Sequence, residues 1–512
     1  MIVRPESNSR LSDETTLIHE VNARIQFPWL LDHEPQEKLL VMVWAHYNLM
    51  SYRAYHQVAT ELGIKLIVID HEGHWINKPQ FRHLFEAFIP VDMTPDAGWH
   101  QRIAAAVKGY GHVDGIFAIA THCMEVVARA AALLDLPTQS PDLVARAVTK
   151  YETRLLAGGF APLSSALVDD TAHLNNLIIE KSFVPHFPLI TKPNLGASSF
   201  QVYRANTEVE LLEAVDRISQ VTGQKVVVEL YIDGPELDVN LVLLNGELIF
   251  FEILDDYPCA GDDDDTVSGT PGGRDFFETA LGIPSRLPAA EYDTVRESLY
   301  KLLLQIGFTT GVFHLEARIR NSTMMYGKTE DGWIDLRPRS TTSNSSTDEG
   351  NAKDPTCFLI EINPRSPGFR EATVSKNAHG VNLLDLHILA SIGDHERMRT
   401  QAQPFASSPS FPGGCARAWC HLIYMRLKEG GICDSDDVCR DVLRCLDPDD
   451  CAMVTDMFCA FGRGDRVPTP ELGGSTVAAV FIVTSREARH DMLRVAALLE
   501  KKFSMPLLKS VW

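Results

Sequence analysis

Glu361, Asn363 and Arg365 occupy every second position of "CFLIEINPRSPGFRE", where the apolar run Phe358, Leu359, Ile360 gives way to polar residues. Side chains two apart on a strand share a face, so a carboxylate, an amide and a guanidinium would be presented side by side. An earlier segment, "GVFHLEARIR", has the matching alternation: Phe313, Leu315, Ala317 and Ile319 against His314, Glu316, Arg318 and Arg320. If the two segments pair as a long-looped hairpin, Glu316 meets Glu361 and Asn363. Two carboxylates and an amide oxygen at one spot repel each other unless a cation lies between them. Magnesium suits hard oxygen ligands and keeps positions open for water and phosphates. Taken singly, each acid reads as a solvated strand position; together they favour a metal.

A magnesium site implies phosphates, and the middle of the chain offers groups to meet them. Lys192 closes the apolar run "FPLIT" and leads into "KPNLGASSF", where Gly196, Ala197, Ser198 and Ser199 can present backbone N–H groups to an anion. Alone, such a loop is more often a turn. Further on, in "KVVVELYIDGPELDV", Glu229 ends a β-branched strand, Leu230, Tyr231 and Ile232 form a connector, and Glu236 and Asp238 share a face of the next strand. A buried connector can read an adenine edge through its backbone, and a carboxylate just beyond it can hold ribose hydroxyls. Glu229 by itself reads as a strand-end charge in water.

The elements that must position these residues follow from pattern. From residue 38 to 142, strand-like runs such as "LLVMVWA", "KLIVID" and "GIFAIA" alternate with helical stretches such as "SYRAYHQVATEL" and "MEVVARAAALLDL", which predicts an open parallel α/β domain after a polar arm at 1–37. Residues 143–405 mix strands and helices and form the expected main domain, with polar insertions near 257–275 and 321–356 that read as loops too polar to pack. Residues 406–512, with "CARAWCHLIYM", "STVAAVFIVT" and "SREARHDMLRVAALLEKK", predict a small C-terminal α+β domain that caps the chain.

Composition narrows the partners. The chain has 512 residues, 45% of them hydrophobic, enough to fill several cores, and carries a formal charge of -21. That charge argues against nucleic acid and anionic membranes, which reward basic patches, and favours small ligands and metal cations. No apolar run approaches a bilayer span, and "MIVRPESNSRLSDETT" lacks the apolar core of a signal peptide, so a cytoplasmic location is expected. Cys433, Cys439, Cys445 and Cys451 recur every six residues but lack the close pairs of zinc sites, and the ten cysteines are expected to be free thiols.

In chain order, Lys150 in "TKYETR", Lys192 with its small-residue loop, "VVVELYIDGPELDV", "GVFHLEARIR" and "LIEINPRSPG" resemble the ATP-grasp superfamily. Within it they are most similar to carboxylate-amine ligases of the carnosine synthase and bacterial L-amino acid ligase kind, over roughly residues 40 to 400. The resemblance implies an ATP-grasp fold with an N-terminal α/β domain and a C-terminal α+β domain. It implies ATP and magnesium, with manganese as a substitute, as cofactors. Lys150 and Lys192, with Gly196, Ser198 and Ser199, would contact the phosphates. Glu229 with the backbone of Leu230, Tyr231 and Ile232 would hold adenine, and Glu236 ribose. Glu316, Glu361 and Asn363 would carry the metal, and Arg365 would face the transferred phosphoryl group, with Lys192 beside it in catalysis. Glu278, His314 and Arg365 are the candidates for touching substrate, and Asp255 or Asp256 could join Glu278 in holding an ammonium group. Thr149 stands where the family often has an acid, and Gln201 where it often has a glycine.

The implied reaction makes an acyl phosphate from a small-molecule carboxylate and ATP, then an amide by attack of an amine. A non-amine acceptor, a carboxyphosphate product and a non-catalytic nucleotide-binding protein remain as alternatives, and a homodimer is compatible with the sequence.

Overall fold

Branched apolar residues make four short strands near the N-terminus: β1 Lys38–Val43, β2 Ile64–Asp70, β3 Ala87–Pro90 and β4 Gly115–Phe117. They pair in parallel in the order β3-β2-β1-β4. The near-continuous burial of β2 is what a parallel sheet covered on both faces requires. Helix Leu49–Glu61 connects β1 to β2, Trp99–Tyr110 connects β3 to β4, and Thr121–Leu133 follows β4. The computed structural model describes residues 36–46, 48–158, 165–196, 199–262, 276–339, 354–405, 415–427, 429–468 and 477–508; nearly all of the expected polar arm lies outside them.

This first compact unit reaches Pro141 and also takes in Leu384–Ala402, which the sequence pattern had assigned to the main domain. Close approach explains the recruitment: a Cβ on Gly115 would lie 2.1 Å from the Ser391 carbonyl oxygen, and Arg397 donates to the Leu62 carbonyl at 2.6 Å.

The second unit comprises Asp142–Leu383 and the residues from Gln403 onward. It holds a small antiparallel sheet of β5 Ser165–Val168, β6 Leu189–Pro193, β7 Tyr203–Ala205 and β8 Val226–Leu230, in the order β5-β8-β6-β7. Helices Thr171–Ile179 and Glu208–Thr222 supply Leu174, Leu211, Val215 and Ile218 to its core. Beside it in the same unit is an eight-stranded antiparallel sheet. Its strands are β9 Glu236–Leu244, β10 Glu247–Asp256, β11 Ala280–Ile283, β12 Gly311–Arg320, β15 Thr356–Asn363, β16 Trp419–Arg426, β18 Val454–Cys459 and β20 Val477–Ser485, ordered β15-β12-β9-β10-β11-β16-β20-β18.

Two expectations change here. Three strands of 406–512, β16, β18 and β20, extend the eight-stranded sheet, because β16 pairs along the edge of β11 from Ala280↔Ile423 to Ile283↔Cys420. An open edge with unpaired backbone groups is thereby covered, while β17 Gly431–Cys433, β19 Arg466–Val467 and β21 Leu507–Leu508 form a small sheet of their own in the order β19-β17-β21. The insertion near 321–356 is not all loop: Met324–Lys328 and Ile334–Pro338 form a hairpin, β13 and β14, and its Asp335 and Leu336 are buried. Likewise Tyr257 and Gly261, in the insertion near 257–275, are packed, Gly261 against Phe276. Residues 263–275 and 340–353 lie outside the described residues.

Candidate active site

The register of four neighbouring strands lays polar residues out in rows. β12 pairs with β15 and β9, and β9 with β10, so that Asn363, His314, Asn240 and Glu252 form one row, Glu361, Glu316, Asp238 and Leu254 the next, and Phe358, Arg318, Glu236 and Asp256 a third. Directly paired residues share a face. The pairing Glu316↔Glu361 is the one that alternation in the two segments predicts. A bulge on β15 at Ile360, between the pairs Glu316↔Glu361 and Ala317↔Leu359, brings Phe358 onto the same face as Glu361.

Cations reach the second row from the short helix Lys150–Ala157. Its start is held by Asn194, whose carbonyl accepts from the Lys150 N–H at 3.1 Å and whose Oδ1 accepts from the Tyr151 N–H at 3.1 Å. Lys150 Nζ donates to Glu361 and, at 3.2 Å, to the Gly196 carbonyl. One turn on, Arg154 pairs with Glu229 at 2.9 Å and stacks over Phe358 at 4.0 Å. Lys192 takes the other Glu229 oxygen at 2.6 Å. Glu229 is therefore no solvated strand end: burial opposes its charge, but Lys192 and Arg154 prevail and hold its carboxyl at about 2. Arg154 has no part in the sequence reading, although its spacing of four from Lys150 on a helix was the available signal.

The nucleotide-side candidates are arranged as follows. Tyr231 lies under Arg204 at 4.2 Å and donates to Asp262 at 2.9 Å. The Ile232 carbonyl accepts from Arg318 at 2.8 Å. Arg318 also binds Glu236 at 2.9 Å through Nε and Asp262 at 2.6 Å, so Glu236 stands on an arginine that sequence spacing alone did not connect to it. Leu230 pairs with Leu189 in the small sheet. Ser199 and Gln201 have left-handed backbones, φ 51° and 60°, the conformation glycine adopts without cost, which accounts for a glycine being common at the second position. Ser198 and Ala197 lie outside the described residues.

The metal candidates lie together. Asn363 is buried, and its Oδ1 accepts from Arg365 at 3.3 Å. Arg365 also donates to the Ser366 carbonyl at 2.9 Å. Burial disfavours the Glu361 charge, yet Lys150 outweighs it and keeps the carboxyl below the usual range. Glu316 has the opposite balance: burial and Glu361 push it up to about 7 against the pull of Lys150 and His314. Lys150 itself is buried, which would lower it, but Glu361, Glu316 and Glu229 raise it.

Next to this row lies an excess of negative charge. Burial, then Glu371, Asp256, Glu278 and Glu316, raise Asp238 well above the carboxylate range. Asp256 is raised by burial and by Glu236 and Glu278, and its Oδ1 has no hydrogen-bond partner among the described residues. Glu278 is pushed up to about 8 by burial and Glu371, partly offset by His314. His314, placed 3.4 Å from Glu371 and 3.1 Å from the Asn240 amide oxygen, is raised because Glu371 outweighs its burial. Glu316, Asp238, Asp256 and Glu278 are thus held toward the neutral form by one another, a state that added positive charge relieves. The donor set, carboxylates with the Asn363 amide oxygen, fits a hard divalent ion, and the remaining acids fit an ammonium group.

The pattern of the ATP-grasp N-terminal domain matches residues 56–138, and that of the ATP-grasp domain residues 185–327. The chain is 33% identical over 484 residues to the ATP-grasp enzyme fsqD of Aspergillus fumigatus, covering 92% of this chain and 80% of that protein. The chain belongs to the ATP-grasp enzymes. Members of this ligase family use ATP and magnesium, as the order of motifs implied. Carnosine synthase 1 of Homo sapiens is 23% identical over 361 residues, 66% of this ATP-grasp chain and 38% of that protein. The fold is similar to that of the L-amino acid ligase from Bacillus licheniformis, with a TM-score of 0.66 and 17% identity over 93% of this chain and all of that one. Among the described residues no helix is long and apolar enough to cross a membrane.

Proposed function

We propose that this enzyme activates a substrate carboxylate as an acyl phosphate and couples it to the amine of an amino acid, forming an amide with release of ADP and phosphate. The observation that carries the reading is the row Glu361, Glu316 and Asp238 with Asn363 and Arg365 at its end, flanked by the buried ammonium groups of Lys150 and Lys192. Phosphoryl transfer chiefly needs charge neutralisation and in-line positioning, and this arrangement offers both without a covalent nucleophile. The likeness to carnosine synthase and to an L-amino acid ligase supports an amino acid as one substrate.

In this reading Glu316, Glu361 and Asn363 hold magnesium, which when bound offsets phosphate charge. Lys150 and Lys192 meet the phosphates, with Gly196, Ser198 and Ser199 as backbone donors. Glu229 fixes Lys192 in place, while the backbone of Leu230, Tyr231 and Ile232 reads adenine and Glu236 receives ribose. Arg365 stabilises the phosphoryl group in transit, and Glu278, with Asp238 and Asp256, receives the substrate ammonium beside His314. Asp255 leaves this set, because Arg489, Ser285 and the Arg286 N–H already engage its carboxylate.

A screen of carboxylate and amine pairs, read by ADP release and product mass, tests the activity. With a carboxylate labelled by oxygen-18, one labelled oxygen is expected in the released phosphate. Label in AMP would replace the acyl phosphate by an adenylate, and ADP release with no coupled product from any amine would remove the ligase assignment.

A further inference from the structure

All ten cysteines are free, and two of them meet. Cys439 belongs to the helix Val438–Leu443 and Cys459 ends β18; their sulfur atoms lie 3.2 Å apart. The other members of the six-residue ladder do something else: Cys433, Cys445 and Cys451 donate to the carbonyls of Ser435, Asp441 and Leu443. The meeting pair is therefore not a product of the ladder, and twenty residues of chain separate its partners.

Geometry gives the two sulfurs different parts. Cys459 is half-buried and accepts the backbone N–H of Cys439 at 3.3 Å, whereas Cys439 is buried, with the two thiols in hydrogen-bond contact. The contact with the Cys439 thiol is the main reason that the Cys459 thiol falls to about 7, against burial and the Asp437 carboxylate 3.7 Å away. Cys439 is raised by the same contact. A thiolate at ordinary pH beside a protonated thiol is the arrangement of an attacking and a resolving cysteine. Asp437, in contact with Cys459, also lines a polar cavity of about 400 Å³ with Asp434, Ser435, Arg440 and Arg463, and it is the partial exposure of Cys459 itself that admits a solute.

We propose that Cys459 and Cys439 are a reversible redox pair, oxidised to a disulfide by a small disulfide of the glutathione type. The Cys459 thiolate attacks one sulfur of the oxidant, forming a mixed disulfide and releasing the first thiolate, which takes up a proton. Cys439 then loses its proton and attacks the Cys459 sulfur, and the second thiol of the oxidant departs. Two protein thiols have become one disulfide, and the oxidant has become two thiols. The last step closes the sulfur separation from 3.2 Å to a bond of about 2.05 Å and pins the helix to the end of β18. In reducing surroundings such bonds are typically transient and sensory.

The full-length protein is equilibrated in mixtures of reduced and oxidised glutathione, quenched by alkylation and mapped by peptide mass spectrometry. A crosslink between the Cys439 and Cys459 peptides that dithiothreitol reverses is expected. In Cys439→Ser the reaction should halt at a glutathione adduct on Cys459, formed about tenfold faster than on the exposed Cys445. In Cys459→Ser, Cys439 should stay alkylatable after denaturation. The proposal is overturned if Cys459 reacts no faster than Cys445, or if Cys439 forms the adduct equally fast without Cys459. It is also overturned if added zinc protects both thiols with Asp437, the third potential ligand, while no oxidant produces the crosslink.

Discussion

Asp255 and Asp256 are adjacent on β10 and point to opposite faces of the same sheet, into two differently built ionic clusters. On one face Asp255 accepts from Arg489 at 2.8 Å, from the Arg286 N–H at 3.0 Å and from the Ser285 hydroxyl. Arg489 continues to Asp335 at 2.8 Å, the Pro284 carbonyl at 2.9 Å and the Tyr257 hydroxyl at 3.1 Å, and Arg286 also pairs with Asp335. Two carboxylates meet two guanidiniums: Arg489 and Arg286 prevail over burial at Asp335, whose carboxyl is lowered, while burial outweighs Arg489 at Asp255 and leaves it raised. On the other face Asp256 joins Asp238, Glu278 and Glu316, where the strongest neighbours are more carboxylates. Burial is common to both clusters, so burial does not mark the functional one. Unbalanced charge separates them, and it is the reason the proposed function places its ligands on the Asp256 face, since strongly shifted carboxylates cluster at functional sites.

The comparison is broken most severely by Glu361→Gln. A neutral amide cannot replace the charge with which Glu361 would hold the proposed magnesium, and we expect magnesium-dependent turnover to fall about a thousandfold or more while the fold persists. Wild-type rates at ordinary magnesium would remove the metal assignment. Arg489→Met should do the reverse. It leaves Asp255 buried without its cation and Asp335 with Arg286 alone, at a cost of about 3–5 kcal/mol in unfolding free energy, yet the folded fraction should turn over nearly normally. Replacing 325–352 by a Gly-Ser linker should destabilise for the same reason, since it removes Asp335, whereas replacing only 340–353 should leave urea midpoints unchanged. Equal effects of the two replacements would contradict the role given to the hairpin.

The same contrast explains what the sequence could and could not disclose. Alternation within two strands was enough to align Glu316 with Glu361, because strand period and side-chain face are local properties. The partners of those strands were not local. Nothing near Asp238 in the chain indicates that β12 will lie beside β9, which is what sets Asp238 next to Glu316. Nor does the polar segment 321–356 reveal that Asp335 will meet Arg489, 154 residues away. Its serine and charge content resembled a loop, and a long-range ion pair overrode that composition. Arg154 and Lys192 converge on Glu229 from different elements for the same reason. The family, by contrast, was legible from the order of its motifs alone.

A smaller effect is expected at the end of the row. Arg365 is held by Asn363 and by the Ser366 carbonyl, and the charge it is proposed to meet develops mainly in the transition state. Arg365→Lys keeps a positive charge but loses the planar fork. The expected outcome is a kcat lowered by about ten- to a hundredfold with the KM for ATP changed by less than about threefold. Steady-state kinetics over ATP concentration decide it, and a defect confined to KM would assign Arg365 to binding.

A further prediction concerns Glu278 and sharpens the comparison by titration. Its carboxyl is pushed up to about 8 by burial and by Glu371, whereas in the unfolded chain it titrates near the ordinary glutamate value of about 4.3. Between those two values the ligand-free folded state holds a proton that the unfolded state has released. Its contribution to stability is therefore complete below about pH 4.3 and is lost as pH rises toward 8. Glu278→Gln cannot titrate, so its stability relative to wild type should climb across that interval and level off above it. Saturating amine substrate should flatten the wild-type curve, because an ammonium partner favours the charged carboxylate. Thermal melts of both proteins from pH 5 to pH 9 provide the test. A difference that does not depend on pH would show that Glu278 is already balanced by a protein cation, as Asp335 is in the other cluster, and would exclude it from the ammonium site.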